Sequence, residues 1–143
     1  MIRVIPVTWS SHIAMRVELL ACEKVAAGST GADCVSMGTL VGSSTAPKIT
    51  EGAITASSKH AHSQSPRFGA ITGGVAAASG NGWLASSNNL DQWLQFDLGK
   101  MQTVAGIQTA GRSTANQWVL TYLIRYQKRG VWIWYGDAGG PYT

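Results

Sequence analysis

The chain has 143 residues, 45% of them hydrophobic and only 13% charged, which suits one domain with a real core and excludes both disorder and a two-domain organisation. A formal net charge of +4 favours anionic partners. The basic residues are scattered from Arg3 to Arg129 with only Lys128 and Arg129 adjacent, so no basic stripe for nucleic acid is present. No apolar run approaches the roughly 18 residues of a membrane-spanning helix.

In chain order, Ile2–Val7 reads as a first strand. Pro6 and the polar Thr8–His12 stretch interrupt any signal-peptide core, so a secretion signal, if the protein has one, lies outside this sequence. From Ile13 onward the period is two: Ile13, Met15, Val17 and Leu19 share one face, with Arg16 and Glu18 on the other. The featureless Glu23–Asp33 segment reads as a connector between Cys22 and Cys34. Those cysteines are compatible with one disulfide, and the three histidines lack zinc spacing around them.

Leu94, Phe96 and Leu98 alternate with Trp93, Gln95 and Asp97. Thr103–Thr109 is a further strand, and Trp118, Leu120, Tyr122, Ile124 and Tyr126 form one face of a long one that Val131–Tyr135 follows. Turn signals at Gly73-Gly74, Gly80-Asn81-Gly82, Asn88-Asn89, Leu98-Gly99-Lys100 and Arg129-Gly130 separate these segments. Helical periodicity is nearly absent. The pattern predicts an all-β domain, a sandwich or jelly roll of about eight antiparallel strands.

No nucleophile elbow, metal-binding helix motif or phosphate loop is present, so the residues give no support to an enzyme or a cofactor. His60 and His62 stand at i, i+2 but lack an evident third ligand, and no metal is expected.

Several stretches resemble the discoidin (coagulation factor V/VIII type C) family. They are Ile54–Ser58, Asn88–Gly99, Thr109–Arg112 and Asn116–Tyr122, together with the opening Ile2–Trp9 and His12–Cys22. Any one would be weak; six in one chain are strong. The resemblance implies a galactose-binding-domain-like jelly roll in which the segments stand in permuted order. Residues 1–22 resemble the family's closing strands, 23–33 a linker, and 34–143 its beginning and middle. A circular permutant and a cut across a tandem junction both fit. Because the family bonds its first and last cysteines, the resemblance implies a Cys22–Cys34 disulfide, which would staple the junction across a short loop. The family's late segment has no counterpart here, which predicts exposed sheet edges and a possible homo-oligomer.

The resemblance further implies an extracellular, non-enzymatic adhesive module whose ligands dock on loops at one end of the sandwich. The corresponding ligand-binding candidates are Lys59, His60, His62, Gln64, Arg67, Phe68 and Asn116. Such side chains hydrogen-bond sugar hydroxyls, while an aromatic ring takes a sugar's apolar face. The first loop lacks a tryptophan wedge, which favours cell-surface or matrix glycan over the alternative, an anionic lipid headgroup such as phosphatidylserine. A protein ligand or self-assembly is a third reading. Asp97 and Arg112 match family positions and are expected as a buried structural ion pair. Trp93 and Trp118 are expected in the core, and Trp83 and Trp9 beneath their loops. Trp132 and Trp134 share one face, expected to be core unless the absent segment leaves them uncovered.

Overall fold

The strands expected from period-two alternation form in a computed structural model, which describes residues 1–23, 36–41, 49–61, 65–71 and 82–136. Nine strands occur among these residues: β1 (Ile2–Ser10), β2 (Ala14–Glu23), β3 (Ser36–Thr39), β4 (Ile54–Ala56), β5 (Trp83–Leu84), β6 (Leu94–Phe96), β7 (Val104–Ala110), β8 (Trp118–Lys128) and β9 (Val131–Trp134). Two short 3-10 turns, Glu51–Ala53 and Pro66–Phe68, complete the described regular structure. One sheet runs β4-β6-β1-β8-β9; in the other, β2 lies between β7 and the β3 and β5 strands. All strand pairings are antiparallel, as in the expected jelly-roll sandwich.

The first 23 residues supply an internal strand to each sheet. β1 pairs with β6 on one side and β8 on the other. The chain then turns a corner at Ser11, whose φ of 61° is left-handed, and enters the second sheet as β2. Pro6 sits inside β1 although it donates no hydrogen bond; the ladder shifts register between Pro6 and Thr8, which accommodates it. The opening strands are therefore built into the sandwich.

Alternation determines the core. Ile2 and Val4 of β1, Met15, Val17 and Leu19 of β2, and Leu94 and Phe96 of β6 are buried between the sheets, with Trp83 of β5 among them. At about 25 cal/mol per Å² of apolar surface, each large side chain buried here contributes roughly 2–3 kcal/mol. Trp83 takes the place expected of it, and its Nε1 donates to the Ser58 carbonyl at 2.8 Å. Trp9 packs half-buried against the core.

The β8 stripe departs from expectation. Tyr122, Ile124 and Tyr126 pack against the core, but Trp118 and Leu120 are 39% and 58% exposed. Nothing among the described residues covers that end of the strand. Trp93, Trp132 and Trp134 also lie outside the core, half-buried against arginines on the outer face of the larger sheet. Alternation requires this of Trp93, since Leu94 and Phe96 occupy the inner face. Glu18, on the face opposite Val17 and Leu19 as expected, is fully buried because residues 40–41 cross over it. Among the described residues β4 and β9 edge the larger sheet. Glu23, expected to open the connector, instead closes β2 opposite Ser36; the Cys22–Cys34 disulfide and residues 24–33 of the connector fall outside what is described.

Candidate functional site

Strand register identifies the loops that meet at one end. Ser10 pairs with Trp118, Ala56 with Leu94, Ala14 with Leu84 and Arg16 with Ala110. The corner at Ser11-His12, the segment after β4, the Ala85–Gln92 loop and the Gly111–Gln117 loop therefore share one end of the sandwich.

A buried glutamine fixes this end. Gln92 is 5% exposed, and its Oε1 accepts from the Ser57 hydroxyl at 2.9 Å and from the Ser58 hydroxyl as well. Its Nε2 donates to Asn89 Oδ1 at 2.7 Å. The serine hydroxyls in turn accept backbone N–H groups, Ser57 from Trp93 and Ser58 from Ser86, each at 3.0 Å. The two sequence segments that signal the family resemblance most strongly thus meet in one satisfied polar network.

Lys59 and His60 extend from this base, both exposed. The His60 N–H donates to the Leu84 carbonyl at 3.0 Å, which sets the direction of the segment. His12 stands beside it, the two rings edge to face at 5.7 Å. His12 Nε2 lies 2.8 Å from the Ala85 carbonyl, which can only accept, so that nitrogen carries the hydrogen. Asn88 braces the corner: its Oδ1 accepts the Ile13 N–H at 2.9 Å and its Nδ2 donates to the Ser11 carbonyl at 3.2 Å.

Asn116 is exposed on the neighbouring loop. That loop is held by arginines: Arg16 Nε donates to the Gly111 carbonyl at 2.9 Å, and Arg112 donates to Gln117 Oε1 at 2.9 Å and Thr114 Oγ1 at 3.1 Å. Gly111 is required by close approach, because a Cβ there would meet Trp118 Cβ at 2.7 Å and the Gln117 carbonyl at 2.8 Å.

The remaining sequence-predicted residues fall out differently. Phe68 is 5% exposed in the core, so its ring is not presented to a ligand; the Pro66–Phe68 turn faces it inward. Arg67 is half-buried with its guanidinium 4.6 Å from the Phe68 ring centroid. His62 and Gln64 lie outside the described residues. The expected buried Asp97–Arg112 pair takes another form: Asp97 is exposed and accepts the Gly99 N–H at 2.9 Å, while Arg112 is held within its own loop. A tight turn at Gly99, φ 67°, rather than a distant cation uses the carboxylate.

His12, Asn88 and exposed Trp118 join this end without having been expected there. A polar residue in a strand-to-strand corner was the available signal for His12 and Asn88. Trp118 gave none, since its alternation phase is that of the core residue Ile124. Among the described residues no group of three or more His, Cys, Asp or Glu could hold a metal, and no helix is long and apolar enough to cross a membrane.

Comparison with known proteins matches residues 53–142 to the model of the F5/8 type C domain. A 63-residue stretch is 38% identical to retinoschisin of Mus musculus and covers 43% of this chain and 28% of that protein. Lactadherin of Sus scrofa is 42% identical over 62 residues, 41% of this chain and 15% of its own length. Coagulation factor V of Sus scrofa is 42% identical over 53 residues, 36% of this chain and 2% of that protein. The matched stretches thus span less than a third of each of these relatives. No solved structure matches.

Proposed function

We propose that this chain, which belongs to the F5/8 type C domain family, is an extracellular adhesive module that binds cell-surface or matrix carbohydrate through the loop end built around Lys59, His60 and Asn116. The observation that carries this reading is the rigid polar platform. Exposed Lys59 and His60 extend from a base fixed by Gln92, Ser57 and Ser58, and exposed Asn116 and the partly exposed Trp118 lie at the same end. Prearranged hydrogen-bonding groups with one aromatic face match what a pyranose offers. Arg67 and the sequence neighbours His62 and Gln64 belong to the same proposed site.

A second reading, binding of an anionic phospholipid surface, is favoured by Leu90, 55% exposed in the Ala85–Gln92 loop, and by the net charge of +4. We rank it below glycan binding because the segment that carries Lys59, His60 and Arg67 presents no apolar wedge of its own, Phe68 being buried in the core. The same proposal takes residues 1–22 as the family's closing strands, returned to their places by a Cys22–Cys34 junction, and leaves self-association through strand edges as a third role.

A glycan array probed alongside sedimentation with phosphatidylserine-containing liposomes, at low and high salt, tests the ligand class. Array binding without liposome pelleting is expected. Salt-sensitive pelleting with a silent array would overturn the glycan reading in favour of lipid.

A further inference from the structure

The outer face of the larger sheet carries a second set of groups, which borders the loop network at Gln92 and Trp93. Arg3 and Arg125 are direct cross-strand partners in the β1–β8 ladder. Like charges so placed repel. The Arg3 guanidinium is held below its usual range by burial and by the charge of Arg125. Three indoles bracket the pair. Arg3 lies 4.0 Å from the Trp93 ring centroid and 4.6 Å from that of Trp132; Arg125 lies 5.0 Å from Trp132 and 5.6 Å from Trp134.

The two arginines differ in one respect. Arg3 is satisfied, donating from Nε and a terminal nitrogen to Gln95 Oε1 at 3.0 and 2.6 Å. The Arg125 side chain makes no hydrogen bond among the described residues, and its Nε is buried without a partner. A buried guanidinium donor left without an acceptor is a costly feature of a sheet face.

Beside Arg125 runs a groove of about 250 Å³. Ile5 and Leu123, partners across β1 and β8, lie next to the arginine pair and form its floor; Trp93 and Trp134 stand at its two ends. Asp91 is the acidic group among its lining residues. The volume is just under the roughly 300 Å³ at the lower end of small-molecule sites, room for one ring rather than a chain of them.

We propose that this groove binds a single uronic-acid residue, its carboxylate on the terminal nitrogens of Arg125 and its apolar ring face against an indole. The planar guanidinium fork matches a carboxylate, and the unpaired positive charge supplies the complementarity. The apolar floor and aromatic ends select a ring over a bare anion. The groove shares Leu90, Asp91 and Gln92 with the loop end, but Lys59, His60 and Asn116 do not line it.

The test is a titration of the ¹⁵N-labelled protein with methyl β-D-glucuronide, read by heteronuclear NMR. Saturable shifts of the Trp93 and Trp134 indole N–H signals are expected, with the Lys59 and His60 amides unmoved. Acetate and methyl β-D-glucoside should bind at least about tenfold more weakly, as loss of the ring or of a charge-assisted bond implies. Arg125→Gln, checked for a native spectrum, should weaken the glucuronide by a similar factor. The titration of the parent protein needs no variant, so absence of indole shifts overturns the proposal even where Arg125→Gln fails to fold. Undiminished binding in a folded Arg125→Gln protein also overturns it. An equal response to N-acetylleucine would assign the groove to peptide carboxylates instead.

Discussion

The carboxylate of Glu18 accepts the backbone N–H of Val41 at 2.7 Å and that of Leu40 at 3.1 Å. Glu18 is fully buried, so this contact satisfies backbone donors that water cannot reach and ties residues 40–41 to the centre of β2. Glu18→Ala is expected to cost about 3 kcal/mol, because it strands buried donors and leaves a void. Glu18→Gln keeps an accepting oxygen and should cost less. Urea unfolding midpoints of the two variants check the order.

Gln92 plays the corresponding part at the loop end. Gln92→Ala removes the acceptor for the Ser57 and Ser58 hydroxyls and should destabilise the domain by about 2 kcal/mol. The effect should be local as well as global. Hydrogen exchange at the Ser86 and Trp93 amides, which donate to those serines, should accelerate more than exchange in β2.

Gly111→Ala tests the Asn116 loop. The added methyl meets Trp118 Cβ at 2.7 Å and the Gln117 carbonyl at 2.8 Å, one of them backbone, so the loop must shift. A loss of about 2 kcal/mol is expected from such overpacking. Thermal melting measures it, and a change in the Arg112–Gln117 contact would appear in the Arg112 side-chain NMR signals.

The β8–β9 hairpin turns at Arg129 and Gly130, with φ of 52° and 83°, between the paired residues Lys128 and Val131. Left-handed φ at both central positions is the two-residue turn that favours Asn-Gly. Arg129→Asn should therefore raise stability by roughly 0.5 kcal/mol, whereas the β-branched Arg129→Val should lower it. Melting temperatures of the two variants should move in opposite directions.

These contacts also mark what was legible in the residues. Arg129-Gly130 announced its turn because the required φ is a local property. Leu94, Phe96 and Leu98 announced their burial because they alternate strictly, and all three are buried. Trp118 and Leu120 misled for a physical reason: alternation says that two faces exist, not what covers each along the strand. Both share the phase of Ile124, yet nothing among the described residues covers them. The burial of Glu18 was not legible because it depends on two backbone N–H groups from a segment over 20 residues away. The resemblance proposed Lys59, His60 and Asn116, which are exposed on loops at one end, while His12 and Asn88 reach that end by tertiary register alone. Phe68 was proposed with its loop, but its ring is buried in the core.

The central claim is that carbohydrate binding resides in the loop end. It is tested most directly by the Lys59→Ala, His60→Ala, Arg67→Ala triple variant, assayed on the glycan array beside the parent protein after circular dichroism has shown the same fold. Each lost hydrogen bond to ligand is worth about 1 kcal/mol, so the parent's signal should fall by roughly a hundredfold in affinity. A folded variant that binds the same glycans as strongly as the parent would contradict the account.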